Sequence, residues 1–101
     1  MIKQNRSLSA SCLCNGISMT IKGQFRPVIN CHYIQCTKTH GNYAAYTSVL
    51  EQNIIFKSKK TLKWFQSSAK AKRGFCKNCG ASIFFKRYGS RAVSISAGLF
   101  R

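Results

Sequence analysis

The order of apolar and polar residues along the chain predicts short β-strands. The clearest case is segment 16–23, where Ile17, Met19 and Ile21 alternate with serine, threonine and lysine. A period of two residues is typical of a strand with one buried face. Other segments are rich in β-branched or aromatic residues and bounded by Gly, Asn, Ser or Lys, which favours further strands. They cover residues 26–30, 43–50, 54–57, 61–66, 82–86 and 91–97.

Helical periodicity is weak throughout the chain. No window of about 11 residues carries an apolar stripe at helical spacing, and only residues 33–39 suggest a turn of helix. Aromatic residues are spread over the predicted strands, so we expect them to pack in the core and on the sheet faces, with a stacking platform for bases as the alternative. They are Tyr43, Tyr46, Phe56, Trp64, Phe65, Phe75, Phe84, Phe85 and Tyr88.

Length and composition limit the chemistry. The 101 residues leave room for one domain, 1–101, and carry 17 Lys plus Arg against one acidic residue, Glu51, for a net charge of +16. Sites that need two carboxylates, such as glycosidase pairs, aspartic dyads and EF-hand loops, are therefore excluded. Sulfur and imidazole remain, from six cysteines together with His32 and His40.

The positive charge is concentrated in the second half of the chain. Five Lys and Arg residues lie in positions 1–50 and twelve in 51–101. Such a field predicts non-specific binding to nucleic acid or another polyanion, with strong salt dependence, although a merely solvated basic surface is the alternative. The densest group is Lys57, Lys59, Lys60, Lys63, Lys70, Lys72, Arg73 and Lys77.

The sequence predicts a cytoplasmic protein without a membrane span. No run of about 18 apolar residues occurs, and the basic start of the chain lacks the apolar segment of a signal peptide. In a reducing compartment the six cysteines are expected to be metal ligands or catalytic groups. Disulfides are the alternative if the protein is exported.

Four cysteines have the spacing of a structural zinc site. Cys76 and Cys79 are separated by two residues and followed by Gly80, as in a zinc knuckle. Cys12 and Cys14 would present both sulfurs on one face if that segment is extended. Four thiolates complete a tetrahedral zinc shell, which contributes on the order of 10 kcal/mol to folding of a chain with a thin core. Free buried cysteines are the alternative.

The segment from Cys31 to Cys36 is a different kind of candidate. Four intervening residues are too many for a knuckle, so a loop must curl to bring the two sulfurs together. Two thiolates do not fill a zinc shell, and a metal there would need His32, His40, a water or a small-molecule thiol. An inert buried pair is the alternative.

The ordered motifs resemble the glutathione-dependent formaldehyde-activating enzymes, a family that includes the centromere protein V branch. The matching segments are Cys12-Leu13-Cys14-Asn15-Gly16, Arg26-Pro27-Val28, Cys31-His32-Tyr33-Ile34-Gln35-Cys36, Gly41-Asn42-Tyr43, Arg73-Gly74-Phe75-Cys76-Lys77-Asn78-Cys79-Gly80-Ala81-Ser82 and Val93-Ser94-Ile95-Ser96-Ala97-Gly98. The resemblance implies a mostly β, single-domain fold, a small tent of short antiparallel sheets pinned by zinc. It also implies that the structural zinc is held by Cys12, Cys14, Cys76 and Cys79.

The resemblance further implies carbon–sulfur lyase chemistry at a second, more open zinc. Cys31 and Cys36 would hold this metal, where the thiol of glutathione meets formaldehyde to give S-(hydroxymethyl)glutathione. Arg73 or a neighbouring lysine would attract the carboxylates of glutathione, and His32 or His40 would move the proton. A packed or surface histidine without a catalytic role is the alternative at both positions. The catalytic candidates are thus Cys31, Cys36 and His32.

The chain departs from the family pattern in two places. Tyr33 stands where the family's middle segment has a third cysteine, and a phenol with a pKa of about 10 is a poorer zinc ligand, so we expect weaker zinc binding there. The chain also stops at residue 101, where family members usually continue, which exposes a sheet edge and favours a homodimer. The alternative function is a zinc-stabilised binding module that uses its basic half on a polyanion.

Overall fold

Two antiparallel sheets organise residues 6–100, the part of the chain that the computed structural model describes. The first sheet has the strand order β1-β2-β5 and the second has the order β3-β4-β9-β8-β7-β6. The strands are β1 Arg6–Ser11, β2 Ile17–Gly23, β3 Ile29–Cys31, β4 Ala44–Leu50, β5 Ile54–Lys59, β6 Leu62–Ser68, β7 Ala71–Cys76, β8 Ser82–Arg87 and β9 Ala92–Ser96. The helix α1 spans Ile34–His40, and 3-10 turns cover Glu51–Asn53 and Ala97–Leu99. The prediction of a mostly β fold is confirmed.

The predicted elements differ from the observed ones at four places. The strand expected at 26–30 begins at Ile29, because the segment from Arg26 to Val28 is irregular. β1 and β7 were not predicted, since β1 is rich in serine and β7 contains charged residues and Gly74. The helical turn expected at 33–39 is α1, displaced by one residue.

The main core lies between the two sheets. β2 contributes Ile17, Met19 and Ile21, which are fully buried as the alternation predicts. On the opposite side Trp64 stacks on Phe84, with ring centroids 5.6 Å apart. Further buried members of this cluster are Ala10, Val49, Ile83, Val93 and Ile95. Not every aromatic residue joins the core, because the side chains of Tyr43, Phe65 and Tyr88 are exposed.

The outer face of the six-stranded sheet carries a second, smaller cluster under α1. Strand register places Tyr46, Phe85 and Arg73 on this face, opposite to Phe84. Tyr46 is buried together with Cys36 and Ala44, and Cys31 and Phe85 pack against them. Two contacts tie α1 to the sheet: the Gln35 side chain donates to the Ser67 carbonyl, and the Ser82 hydroxyl donates to the Thr39 carbonyl. No helix in this part of the chain has the length and apolar character needed to cross a membrane.

Candidate functional site

Four cysteines from two hairpin turns meet where the sheets join. Cys12 and Cys14 lie between β1 and β2, whereas Cys76 ends β7 and Cys79 lies in the following turn. Their Sγ atoms all lie within 4.8 Å of one another, with 3.7 Å between Cys12 and Cys14 and 3.5 Å between Cys14 and Cys76. Tetrahedral zinc with Zn–S bonds of about 2.3 Å requires sulfurs about 3.8 Å apart. The donor set therefore fits a metal ion of this kind.

The two turns reach this geometry in different ways. At the knuckle, Gly80 adopts a positive φ of 80° and its N–H donates to the Cys76 carbonyl at 2.9 Å, as the spacing predicts. The segment from Cys12 to Cys14 is a turn and not the extended strand that alternation would need. Asn15, with φ of 64°, reverses the chain there, and its N–H donates to the Cys12 carbonyl. A left-handed asparagine thus brings the first two sulfurs together.

Hydrogen bonds prepare the Cys76 sulfur as a thiolate. The N–H groups of Cys79 and Asn78 donate to it at 3.3 and 3.4 Å, and Thr61 Oγ1 lies 3.1 Å away. Burial alone would raise the pKa of Cys76, but these hydrogen bonds outweigh it and lower that pKa to about 5. Burial raises the pKa of Cys12 to about 11. One thiolate is therefore available at neutral pH to attract a cation.

A second centre lies under α1 on the outer face of the six-stranded sheet. The Sγ atoms of Cys31 and Cys36 are 2.8 Å apart. Arg73 donates from Nη2 to Cys36 Sγ at 3.5 Å and from Nη1 to the Tyr46 hydroxyl at 3.0 Å. His40 Nε2 lies 3.0 Å from the same hydroxyl. These contacts connect five side chains into one polar cluster, which we call the Arg73 centre. Its members are Cys31, Cys36, Arg73, Tyr46 and His40.

The charge of Arg73 is unusual because the side chain is buried and forms no salt bridge within residues 6–100. Its side chain is only 6% exposed and lies over the Phe85 ring. In the part of the chain that the structure describes, its Nε has no hydrogen-bond partner. The single acidic side chain of the protein, Glu51, is bound to Lys86 at the surface. A buried guanidinium needs compensation from a nearby anion. Within the Arg73 centre the thiols of Cys31 and Cys36 can become anions, and Cys36 is the one that contacts the guanidinium; an anionic ligand could serve as well.

Burial and the Arg73 charge shift the titration of the neighbouring groups. Burial raises the pKa of Cys36, Cys31 raises it further, and Arg73 opposes both effects. Burial also raises the pKa of Tyr46, and burial together with Arg73 lowers the pKa of His40. Both effects favour the neutral His40 ring, whose Nε2 can accept a hydrogen bond from the Tyr46 hydroxyl.

Two cavities open on the Arg73 centre. One of about 280 Å³ is lined by Cys31, Cys36 and Tyr33, and the other, of about 290 Å³, is lined by His40 and Phe65. Arg73 and Tyr46 line both. Each cavity is near the lower size limit of small-molecule sites.

Comparison with known proteins now decides the family. A family model described as glutathione-dependent formaldehyde-activating enzyme matches residues 7–101. The chain belongs to this family. A crystal structure of a Rhodobacter sphaeroides protein has the same fold, with a TM-score of 0.75 at 14% identity, covering 90% of this chain and 85% of that one. No curated protein matches the chain.

Within the glutathione-dependent formaldehyde-activating enzyme fold, the predicted second zinc has few donors. Among residues 6–100 a group of three or more metal-binding side chains is formed only by Cys12, Cys14, Cys76 and Cys79. At the other centre two sulfurs meet the cation of Arg73, and Tyr33 is 61% exposed. A guanidinium competes with a metal ion for the Cys36 sulfur, so these residues fit a zinc poorly. The second zinc stays a prediction.

The structure places the two histidines that were predicted to move a proton in different environments. His32 is exposed and packs on the Tyr43 ring, with centroids 5.3 Å apart. His40 instead belongs to the Arg73 centre. Tyr46 was expected only as a packing residue, and no signal in the sequence marks it. Its role follows from strand register, which brings β4 and β7 residues together across β9 and β8.

Proposed function

We propose that this protein forms and cleaves carbon–sulfur bonds between a small-molecule thiol, such as glutathione, and an aldehyde. The observation that carries this proposal is the buried Arg73 guanidinium, which lacks a carboxylate and contacts both a sulfur and a phenol that leads to a histidine. Such a centre can stabilise a sulfur anion and can supply a proton to an oxygen. These are the two requirements of thiol addition to a carbonyl group.

In the addition step, Arg73 attracts the anionic thiol. The contact with Cys36 shows that its guanidinium can lie 3.5 Å from a sulfur, and the carboxylates of glutathione offer it a second kind of anion. The thiolate attacks the carbonyl carbon, a C–S bond forms, and the electron pair of the C=O π bond moves to oxygen. Holding both reactants in the adjoining cavities supplies proximity.

The proton follows a separate path. The proton lost by the thiol must reach the new alkoxide oxygen, and the Tyr46 hydroxyl is placed to donate one while His40 Nε2 exchanges protons with Tyr46. The lyase direction reverses each movement. Cys31 and Cys36 form the sulfur-lined wall of the cavity in which the thiol would bind.

Zinc, in this proposal, has a structural role. Cys12, Cys14, Cys76 and Cys79 would hold it, and when bound it would join the two sheets with a complete shell of four thiolates. A closed shell leaves no position for substrate. A reducing compartment, the cytoplasm, would keep all six thiols available.

The direct test follows adduct formation with isotopically labelled formaldehyde and glutathione by NMR exchange spectroscopy. We expect the protein to accelerate exchange between free thiol and adduct, and to show chemical-shift changes around Cys31 and Cys36 at millimolar thiol. Arg73→Met should abolish the acceleration, Arg73→Lys should retain part of it, and Arg87→Met on the surface should behave like the wild type. Wild-type protein that causes neither acceleration nor shift changes would disprove the proposal.

A second candidate function is binding of a polyanion, because the basic residues between 57 and 77 form no ion pair within the described range 6–100. Lys57, Lys59, Lys60 and Lys63 are exposed, and the chain's one carboxylate is occupied by Lys86. Lys72 is a half-buried residue whose Nζ lies 4.1 Å from the centre of the Trp64 ring. This surface would attract phosphates through charge alone, without base recognition.

A further inference from the structure

We propose that Cys31 and Cys36 form a redox-active dithiol that exchanges with low-molecular-weight disulfides. This inference goes beyond the carbon–sulfur chemistry, since it requires no aldehyde and no second metal ion. It assigns a reaction to two sulfurs that lie together and that, among the residues the structure describes, belong to no group of three metal-binding side chains.

The local fold brings the two sulfurs within reach of a covalent bond. Cys31 ends β3, the chain turns at Tyr33, and Cys36 follows in the first turn of α1. The N–H of Thr37 donates to the Tyr33 carbonyl at 2.9 Å and fixes that turn. With Sγ atoms 2.8 Å apart, bond formation needs a displacement of less than about 1 Å, because a disulfide is about 2.0 Å long.

The two cysteines differ in access, which sets the order of steps. Cys31 is partly exposed, whereas Cys36 is 4% exposed and lies behind it. Both line the open cavity of about 280 Å³. An incoming disulfide therefore meets Cys31 first, and Cys36 is placed to resolve the mixed disulfide.

The exchange balances in two steps. The Cys31 thiolate attacks one sulfur of the small disulfide, so that a protein–small-molecule disulfide forms and the other half leaves as a thiolate. The Cys36 thiolate then attacks the Cys31 sulfur, the second half leaves, and the internal disulfide remains. The protein loses two electrons and two protons, and the small disulfide is reduced to two thiols.

Arg73 favours this chemistry in both directions. Its Nη2 donates to Cys36 Sγ and stabilises that sulfur as an anion, either as the attacking group or, when a thiol reduces the pair, as the leaving group. The zinc-type cluster is separate from this process because its four cysteines come from other turns.

The test incubates the metal-loaded protein in buffers of reduced and oxidised glutathione, without aldehyde. Trypsin should release residues 23–38, which contain Cys31 and Cys36 and no other cysteine, because Arg26 precedes Pro27 and resists cleavage. After quenching, denaturation and alkylation, we expect this peptide to change from two alkyl groups to none, with a mass lower by two hydrogens, as oxidised glutathione increases. Peptides of the other four cysteines should stay fully alkylated.

Two variants test the order of steps. Cys36→Ser should accumulate a glutathione adduct on Cys31, whereas Cys31→Ser should acquire none on buried Cys36. The proposal is overturned if the wild-type 23–38 peptide keeps both alkyl groups in oxidised glutathione alone, if the other four cysteines oxidise first, or if the adduct pattern of the variants is reversed. The wild-type result does not depend on whether either variant folds, and failure of adduct chemistry with aldehyde would leave it unaffected.

Discussion

The guanidinium of Arg73 lies 3.5 Å from the sulfur of Cys36, whereas the one acidic side chain of the protein, Glu51, is bound to Lys86. A buried cation of this kind is stable only if neighbouring groups accept its hydrogen bonds or carry negative charge. The Tyr46 hydroxyl accepts a hydrogen bond from Arg73, and Cys36 can provide the negative charge. The same arrangement explains why this centre suits sulfur anions better than a second metal ion.

Removing the phenol of Tyr46 should therefore destabilise the protein and slow the reaction. In Tyr46→Phe, Arg73 Nη1 loses its acceptor and His40 loses its partner, so we expect the free energy of unfolding to fall by about 1–3 kcal/mol. Adduct formation should slow by about 100-fold, because the proton donor is absent. Chemical denaturation and NMR exchange measure the two effects. Tyr43→Phe, on an exposed tyrosine, should change neither, and an equal effect there would contradict the assignment.

Metal removal should affect the cluster of four cysteines alone. We expect about one zinc per chain after purification without chelators, complete loss in Cys76→Ser, and retention in Cys31→Ser. Because a structural zinc contributes on the order of 10 kcal/mol to folding, Cys76→Ser or chelation should abolish cooperative thermal unfolding. Elemental analysis and circular dichroism provide the measurements. Retention of the metal by Cys76→Ser would show that these four sulfurs do not hold it.

His40 should make stability depend on pH in the mildly acidic range. Burial and Arg73 lower its pKa from the ordinary value of 6.5, so the folded state favours the neutral ring. This contribution to stability is present above pH 6.5 and decreases as pH falls from there toward the lowered pKa, since the unfolded chain then binds more protons. His40→Gln should reduce that slope. Chemical denaturation at several pH values gives the slope of the unfolding free energy against pH. Equal slopes in the wild type and His40→Gln would refute the role of His40 in this pH dependence.

Local sequence patterns predict part of this structure and miss contacts that depend on register. The alternation around Ile17, the knuckle at Cys76 and the family resemblance identify the fold and the four-cysteine cluster, because each is encoded within a few residues. The Arg73 centre is different. Tyr46 and Arg73 are 27 residues apart and meet only because β9 and β8 lie between their strands in the required register. β1 escaped prediction because its serines give little contrast between buried and exposed positions.

Binding to polyanions should follow charge and salt. We expect affinity for single-stranded nucleic acid that falls steeply between low and physiological salt. The triple variant Lys57→Gln, Lys59→Gln, Lys60→Gln should reduce the slope of log K against log salt by about 2. A double variant at the exposed Lys22 and Lys38 has a smaller charge change outside the basic segment and serves as the control. Fluorescence anisotropy at several salt concentrations measures the slopes, and salt-independent binding would remove the electrostatic basis of this function.

Gly16 leaves room for the Thr61 side chain, which contacts the Cys76 sulfur of the four-cysteine cluster. A Cβ on residue 16 would lie 2.3 Å from Thr61 Oγ1 and 2.6 Å from its Cγ2, and Thr61 in turn contacts the Cys76 sulfur. Gly16→Ala should therefore displace Thr61 and cost about 1–3 kcal/mol of stability, as overpacking does. Thr61→Ala removes both clashing atoms, so the double variant should be more stable than Gly16→Ala alone. Relief of the clash would make the loss of unfolding free energy in the double variant smaller than the sum of the two single losses. If the losses are simply additive, the two residues do not interact as described.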